Sequence, residues 1–289
     1  MQRAIPDPHM MREIDMNATD SQGTALITGA SSGIGAVYAN RLARRGYDLI
    51  LVARNRDRLD RLASGLIDAT GRSVNVVTAD LSKMQDLRSV EDILRSDSSI
   101  TMLVNNAGVG SAAPLLDSDV NQMGAMIDLN VTALTRLTYA KAPGFVARGK
   151  GTIINIASIV AVAPELLNGV YGATKAFVLA FSQSLHHELG VKGVRVQAVL
   201  PGAIRTEFWD VAGRPVENLP QAIVMDAEDL VDAALAGLDQ GEFATVPSLP
   251  EVADWNAFQS ARAALGPDLS RGKPAVRYGV GREAGRPQL

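Results

Sequence analysis

The chain contains no cysteine and only three histidines among its 289 residues. A protein without cysteine forms no disulfide, uses no thiolate nucleophile and holds no metal through sulfur. The histidines do not suit a metal site either. His186 and His187 are adjacent and point to different sides of a helix, while His9 lies in an irregular N-terminal stretch. We therefore expect no metal site.

An excess of charge of one sign is also absent. Lys and Arg total 28 and Asp and Glu total 31, the formal net charge is −3, and the basic residues are scattered along the chain. This pattern gives no reason to expect nucleic acid as a partner. No apolar run reaches the length of a membrane span, and the N-terminus lacks the apolar core of a secretory signal. We therefore predict a cytoplasmic protein without a membrane partner.

The hydrophobic content of 47% and the length of the chain suffice for one large domain with a substantial core. Short apolar strands alternate with helical patterns, without an internal repeat. This alternation predicts an α/β fold with one doubly wound parallel sheet. We assign 1–22 to a flexible leader, 23–247 to this single domain and 248–289 to a C-terminal extension.

A glycine-rich turn follows the first predicted strand, Thr24–Thr28, and leads into an amphipathic helix. Strand, glycine turn and helix in this order are typical of a dinucleotide-binding unit. The glycines permit a tight turn, close approach of a pyrophosphate and close packing of helix on strand, and the helix N-terminus attracts the anion. A turn that is merely rich in small residues is the alternative. The cofactor-binding candidates in this turn are Gly29, Ser31, Ser32, Gly33, Ile34 and Gly35.

The second predicted strand, 47–53, is followed by Arg54 and carries no acidic residue at its tip. A carboxylate in that place commonly holds the ribose of NAD, whereas an arginine accommodates the 2′-phosphate of NADP. The sequence therefore predicts NADP(H) rather than NAD(H). A solvated arginine at the strand end is the alternative.

Three further strand ends carry cofactor candidates, because parallel sheets bind ligands at the carboxyl ends of their strands. Each of these junctions could equally be a cap or a turn. We predict Ser82 as the N-cap of the helix after the third strand. The candidates are Asp80 and Leu81 after the third strand, Asn106, Ala107 and Gly108 after the fourth, and Pro201, Gly202 and Thr206 after 193–200.

Tyr171 and Lys175 lie one turn apart in a helix that we expect to begin at Asn168 and Gly169, so that phenol and ammonium share one face. A fixed cation favours the phenolate of a side chain whose ordinary pKa is about 10, and we expect Lys175 and one bound cationic ring to lower that pKa together. Ser158, at the end of the preceding strand, would add a hydroxyl nearby. Taken alone, such a pair on an amphipathic helix is more often a surface pair.

Two more features concern the helices. Asn130 lies within a helical pattern between Leu129 and Val131, where an unpaired asparagine is costly to bury, so we expect a polar partner, with a structural water as one candidate. The helix that carries Tyr171 is apolar almost all round over 176–181, which predicts burial on more than one side. We therefore infer a homo-oligomer.

With these residues in view, the chain resembles the short-chain dehydrogenase/reductase family in its single-domain branch. The resemblance covers about 24–246 and implies a Rossmann fold. It rests on motifs in the family's order: Thr28-Gly-x-x-x-Gly-x-Gly35, Asn105-Asn-Ala-Gly108, Asn130, Ser158, Tyr171-x-x-x-Lys175, and Pro201-Gly202 followed by Thr206.

The resemblance implies a reversible hydride transfer between NADP(H) and a carbonyl compound or secondary alcohol. In this family pattern Tyr171 is the general acid/base, and Lys175 binds the nicotinamide ribose and lowers the pKa of Tyr171. Ser158 orients the carbonyl, and Asn130 holds a water in a proton relay.

On the cofactor side, the resemblance implies that Asp80 meets the adenine, Asn106 the adenine-side ribose region and Thr206 the carboxamide. It also implies a segment at about 205–225 that covers a small-molecule substrate. Family members commonly form homodimers or homotetramers through the helix that bears Tyr171.

Two other functions stay open. A non-catalytic NADP(H)-binding sensor would need no proton relay, and the presence of the full set of proton-transfer residues disfavours it. A nucleotide-sugar epimerase or dehydratase uses the same tyrosine and lysine but normally has a larger substrate domain than the residues after Thr206 can form.

Overall fold

The computed structural model describes residues 21–280. The predicted leader lies outside the described residues except for Ser21 and Gln22. The strands are β1 (Thr24–Thr28), β2 (Asp48–Ala53), β3 (Val74–Thr78), β4 (Ile100–Asn105), β5 (Gly151–Ile156), β6 (Val194–Val199), β7 (Ala203–Arg205), β8 (Val224–Asp226) and β9 (Ala244–Thr245). The α-helices are α1 (Gly33–Arg44), α2 (Arg56–Thr70), α3 (Met84–Ser96), α4 (Val120–Ile127), α5 (Leu134–Arg148), α6 (Gly169–Gly190), α7 (Phe208–Val211), α8 (Ala227–Gln240) and α9 (Val252–Ala264).

Seven of these strands form one sheet in the order β3-β2-β1-β4-β5-β6-β9. Every pairing within it is parallel. The predicted doubly wound parallel sheet is confirmed. The strand order reverses between β1 and β4, and in such sheets the crevice at the carboxyl ends of the two strands is the usual ligand site.

The core lies on both faces of this sheet, because its strands alternate apolar side chains between the faces. On β1, Ala25 and Ile27 pack into one apolar cluster, whereas Leu26 packs into the other. The first cluster includes side chains of α1 and α8, and the second includes side chains of α3, α5 and α6. The sheet is therefore covered by helices on both sides, which leaves its carboxyl edge for binding.

Helix α6 begins where the sequence predicts. The side-chain oxygen of Asn168 accepts the backbone N–H of Val170 at 2.9 Å and of Tyr171 at 3.2 Å. Its amide nitrogen donates to the carbonyl of Ala113 at 2.7 Å. One N-cap therefore fixes the first turn of α6 and ties it to the loop that follows β4.

Two details differ from the sequence-based expectations. The N-cap of α3 is Lys83 rather than Ser82, because the hydroxyl of Ser82 donates to the carboxylate of Asp80 at 2.7 Å instead. The short strands β7 and β8 form a separate parallel pair that the sequence did not predict. Each has only three residues, too few to show an alternating pattern.

The chain divides into two compact units after Pro247. In the second unit, α9 is followed by two single-turn helices, and nearly all the described side chains are exposed. None of the helices within residues 21–280 is long and apolar enough to cross a membrane.

Candidate active site

The turn between β1 and α1 requires glycine at three positions. Gly29 and Gly33 have φ angles of +65° and +52°, a region that favours glycine. A Cβ added to Gly35 would lie 2.3 Å from the carbonyl oxygen of Gly29. The backbone of this turn is therefore bare and closely packed, as a phosphate cradle requires.

The first turn of α1 has backbone N–H groups that no side chain caps. Ser32 is the N-cap residue but makes no side-chain capping bond. Ser31, Ser32 and Ile34 lie half-buried around the turn. Uncapped amides at a helix N-terminus attract an anion, so this cradle fits the pyrophosphate of a dinucleotide.

The ends of β1 and β4 are joined by hydrogen bonds that shape the glycine turn. The hydroxyl of Thr28 accepts the backbone N–H groups of Asn106 and Ala107, each at 3.0 Å. The side chain of Asn106 donates to the carbonyls of Thr28 at 2.9 Å and Gly29 at 3.2 Å. The side-chain amide of Asn106 is therefore used in hydrogen bonds to the glycine turn. Thr28 belongs to this site. It opens the glycine motif of the sequence but was not among our cofactor-binding candidates.

Arg54 and Asp80 lie near each other at the ends of β2 and β3. Hydrogen bonds from Ser82 lower the pKa of Asp80, and the charge of Arg54 lowers it further. The guanidinium of Arg54 is exposed and forms no hydrogen bond or ion pair with the rest of residues 21–280. Leu81 and Ala107 line a small cavity together with Thr28 at the end of β1. A free guanidinium in this position suits a phosphate monoester.

Ser158, Tyr171 and Lys175 are brought together and are each only 6% exposed. The amine of Lys175 donates to the carbonyl of Ile156 at 2.8 Å and lies 5.8 Å from the centre of the Tyr171 ring. The Ser158 hydroxyl is close enough to Tyr171 to lower the pKa of the phenol. It also donates to the carbonyl of Pro201 at 3.3 Å, which places the end of β6 beside this group.

Burial dominates the protonation of this group. It raises the pKa of Tyr171 to about 12, against the opposing effect of the nearby Ser158 hydroxyl. It lowers the pKa of Lys175 to about 8. Desolvation disfavours both charged forms in the chain by itself. That Lys175 and a bound cationic ring together lower the pKa of the phenol stays a prediction for the complex with the cofactor.

Asn130 lies in a π-helical turn, Asp128–Ala133, between α4 and α5. Its amide nitrogen donates to the carbonyl of Val109 at 2.8 Å and to the hydroxyl of Thr174 at 3.1 Å. Its side-chain oxygen accepts the N–H of Val109 at 3.0 Å. The polar partners that the sequence required are thus protein groups. Thr174, which we had not selected, donates in turn to the carbonyl of Tyr171 at 2.8 Å and so links Asn130 to the tyrosine.

Gly108 lies between these groups. A Cβ added there would be 3.1 Å from the side-chain oxygen of Asn130 and 3.6 Å from the amine of Lys175. The loop after β4 therefore passes directly over the lysine. Asn130, Ser158, Tyr171 and Lys175 occupy one edge of the sheet, as the sequence motifs indicate.

Residues 206–212, which include α7, form a lid segment over this edge. Thr206 lies against the glycine turn, since a Cβ added to Gly33 would be 3.0 Å from its methyl group. At the other end, the N–H of Ala112 donates to the carbonyl of Ala212 at 3.0 Å. Gly202 is half-buried just before the lid. The lid segment thus touches both the glycine turn and the loop after β4.

The space beside the phenol is lined by apolar side chains. The ring of Phe208 lies 5.7 Å from the ring of Tyr171, and its tip would collide with a Cβ on Gly110. Phe208 and Leu167 join two apolar clusters, one around Tyr171 and one around Trp209. The cluster around Tyr171 consists of Met123, Met126, Val160, Val109, Leu167, Val170 and Phe208.

The family model for short chain dehydrogenase matches residues 23–215. The chain belongs to the short-chain dehydrogenase family. This short-chain dehydrogenase is 35% identical over 192 residues to a very-long-chain 3-oxoacyl-CoA reductase of Anas platyrhynchos. That match covers 65% of this chain and 62% of the relative, so the chain spans less than two thirds of that relative's length.

Two solved structures are more similar. A short-chain dehydrogenase from Sphingobium yanoikuyae in complex with NADPH is 50% identical, with a TM-score of 0.86 over 89% of this chain and 99% of that one. A bulky-bulky ketone specific alcohol dehydrogenase from Comamonas testosteroni is 48% identical, with a TM-score of 0.82 over 89% of this chain and 98% of that one. Residues 1–247 alone could not supply 89% of the chain, so the similarity extends beyond Pro247.

The lowered pKa of Lys175 predicts a dependence of stability on pH. Between the folded pKa of about 8 and an unfolded pKa of about 10.4, the unfolded chain binds more protons. Raising the pH from 8 to 10 should therefore stabilise the wild type relative to Lys175→Met by about 1 kcal/mol per pH unit. Urea unfolding at pH 7 to 10 measures this difference, which should stay constant below about pH 8.

Lys192→Met, which removes an exposed lysine, serves as the control. The difference in the free energy of unfolding between Lys192→Met and the wild type should change little with pH. If the difference in the free energy of unfolding between the wild type and Lys175→Met does not change between pH 7 and 10, burial does not lower the pKa of Lys175 as assigned.

Proposed function

We propose that this short-chain dehydrogenase is an NADP(H)-dependent oxidoreductase that transfers hydride between the cofactor and a ketone or secondary alcohol. The observation that carries the proposal is the burial of Ser158, Tyr171 and Lys175 in one group at the carboxyl edge of the sheet, beside the glycine turn. The similarity to an NADPH-bound dehydrogenase from Sphingobium yanoikuyae supports the choice of cofactor.

The chain's own residues fit NADP(H). The uncapped amides of the glycine turn would hold the pyrophosphate, and the free guanidinium of Arg54 would hold the 2′-phosphate. Asp80 would meet the adenine, Lys175 the nicotinamide ribose and Thr206 the carboxamide. The bound cofactor supplies the hydride, and its oxidised form supplies a cationic ring.

In the reducing direction, Tyr171 donates its proton to the carbonyl oxygen while Ser158 stabilises the charge that develops there. Burial keeps the phenol protonated at neutral pH, which suits a proton donor. In the oxidising direction Tyr171 must accept a proton. Positive charge near the phenol then has to offset the effect of burial. Asn130 and Thr174 position the loop after β4 and the first turn of α6.

We infer that the substrate is a ketone with apolar groups on both sides of its carbonyl. The apolar side chains around Tyr171, with Phe208 above them, leave little polar surface to bind a sugar. The relative from Comamonas testosteroni is named for bulky-bulky ketones, which agrees with this lining.

NADPH absorbance, followed with ketones of increasing size, tests this function. Bulky aromatic ketones should be turned over faster than acetone or a keto-sugar. Tyr171→Phe should lower kcat by about 10³-fold or more, because it removes the proton donor, while the Kd for NADPH changes less than about twofold. Tyr139→Phe, an exposed phenol, is the control. Unchanged turnover in Tyr171→Phe would contradict the catalytic role, and tight NADPH binding without oxidation of any substrate would favour a sensor.

The cofactor preference is tested by removing one arginine at a time. Arg54→Ala should weaken NADPH binding by about 10- to 100-fold, because it removes one or two charge-assisted hydrogen bonds to the 2′-phosphate. Binding of NADH should stay nearly unchanged. Arg56→Ala is the matched control, because Arg56 is already paired with Asp60 on its own helix at 2.7 Å. Fluorescence titration gives both Kd values. Equal losses for the two cofactors, or tighter binding of NADH by the wild type, would refute the preference.

We also propose a homodimer or homotetramer that uses the outer faces of α5 and α6. The ring of Tyr139 stacks on Phe181 at 6.4 Å, and Phe181 stacks on Phe177 at 5.7 Å. Tyr139 is 68% exposed and Phe177 is 39% exposed, so this aromatic stripe faces outward. A second copy of the chain would remove it from water.

Light scattering after size exclusion should give a wild-type mass of two or four chains. The double variant Tyr139→Arg/Phe177→Arg should shift it towards one chain, because charges are costly at the centre of an interface. Val191→Arg changes an exposed apolar residue that follows α6 outside the stripe and should not shift the mass. A monomeric wild type, or equal shifts in both variants, would refute this interface.

A further inference from the structure

An ion pair joins α2 to the lid segment through two residues that lie 149 positions apart in the sequence. The guanidinium of Arg58 donates to the carboxylate of Glu207 at 2.6 Å. Arg58 lies in the first turn of α2, and Glu207 belongs to the lid segment, directly before α7. The bond to Arg58 lowers the pKa of Glu207, so the carboxylate is charged at neutral pH.

Both partners lie close in the chain to residues that we place at the cofactor. The backbone N–H of Arg58 donates to the side chain of Asn55 at 3.0 Å, and Asn55 directly follows Arg54. On the other wall, Glu207 directly follows Thr206, which lies against Gly33 of the glycine turn. The ion pair therefore connects the end of β2 to the lid segment on the side of the glycine turn.

The neighbouring arginines do not make this connection. Arg56 donates to Asp60 within α2, and Arg54 forms no ion pair within the described part of the chain. The other contacts that hold the lid segment are short-range or uncharged. They include the packing of Thr206, Phe208 and Trp209 and the hydrogen bond between Ala112 and Ala212. Arg58 is thus the residue that can hold the lid segment through charge.

We propose that Arg58 and Glu207 form a latch that keeps the lid segment closed over the cleft and slows the departure of a bound dinucleotide. The inference rests on the proposed dinucleotide binding but not on the preference for NADP(H). A contact that exists only when the lid is closed lowers the free energy of the closed state and therefore slows opening. Both side chains are partly exposed, at 40% and 59%, so the effect on the rate should be modest, about twofold to fivefold.

Stopped-flow fluorescence tests the latch. The protein is loaded with NADPH, mixed with excess NADP⁺, and the release of NADPH is followed. Glu207→Gln should speed release by about twofold to fivefold. Arg58→Glu and Glu207→Arg should each speed it, and the double variant Arg58→Glu/Glu207→Arg should return to within about twofold of the wild type because it restores the pair.

The matched control is Asp232→Asn. It removes the same charge from another arginine pair between two elements, Arg41 and Asp232 at 2.7 Å, which links α1 to α8. Release from this variant should equal release from the wild type. Hydrogen exchange of the protein without cofactor gives a second readout, since the amides of residues 207–212 should exchange faster in Glu207→Gln than in Asp232→Asn.

An unchanged release rate in Glu207→Gln, or a double variant that stays fast, overturns the latch. Slower release in Glu207→Gln also overturns it, because Arg58 would then bind the cofactor phosphate once it is freed from Glu207. If NADPH does not bind but NADH does, the cofactor preference fails, and the same rates measured with NADH still decide the latch.

Discussion

The site depends on the junction at which the carboxyl ends of β1 and β4 meet. The strand order of the sheet reverses there, and the chain beyond the two strands turns away to opposite faces. Where two neighbouring strands diverge in this way, their backbone N–H and C=O groups lack hydrogen-bond partners in the sheet. The hydroxyl of Thr28 and the amide of Asn106 supply them, and the glycine turn takes its shape from these bonds. The direction in which α1 presents its N-terminus follows from that turn.

Burial at the same edge sets the protonation of Tyr171 and Lys175. Helices cover both faces of the sheet, and the lid segment and the loop after β4 cover its edge, so both side chains lose water. Desolvation then favours the neutral phenol and the neutral amine. The phenol is held ready to donate a proton, whereas removal of its proton requires nearby positive charge that offsets the desolvation. The lysine still orients the group through its bond to the carbonyl of Ile156.

The lid segment links the two halves of the site. Thr206 packs on the glycine turn, while Phe208, two residues later, packs on Tyr171 and Gly110. A movement that opens one half must therefore disturb the other within a few residues. The absence of a Cβ at Gly33 and at Gly110 is what allows the lid to approach so closely. The lid segment would consequently lie over both the substrate and the cofactor.

The amino-acid sequence by itself determined the fold class and the N-cap of α6, which follow from alternating strands and helices and from a capping asparagine. Its motifs also indicated the set Asn130, Ser158, Tyr171 and Lys175, through their resemblance to the family's motifs. Only the tertiary structure decided the raised pKa of Tyr171, the roles of Thr28 and Thr174, and the contact between Arg58 and Glu207. These depend on burial and on contacts between segments that are distant in the sequence. Sequence patterns predict neither, because desolvation and long-range pairing arise only once the chain has packed.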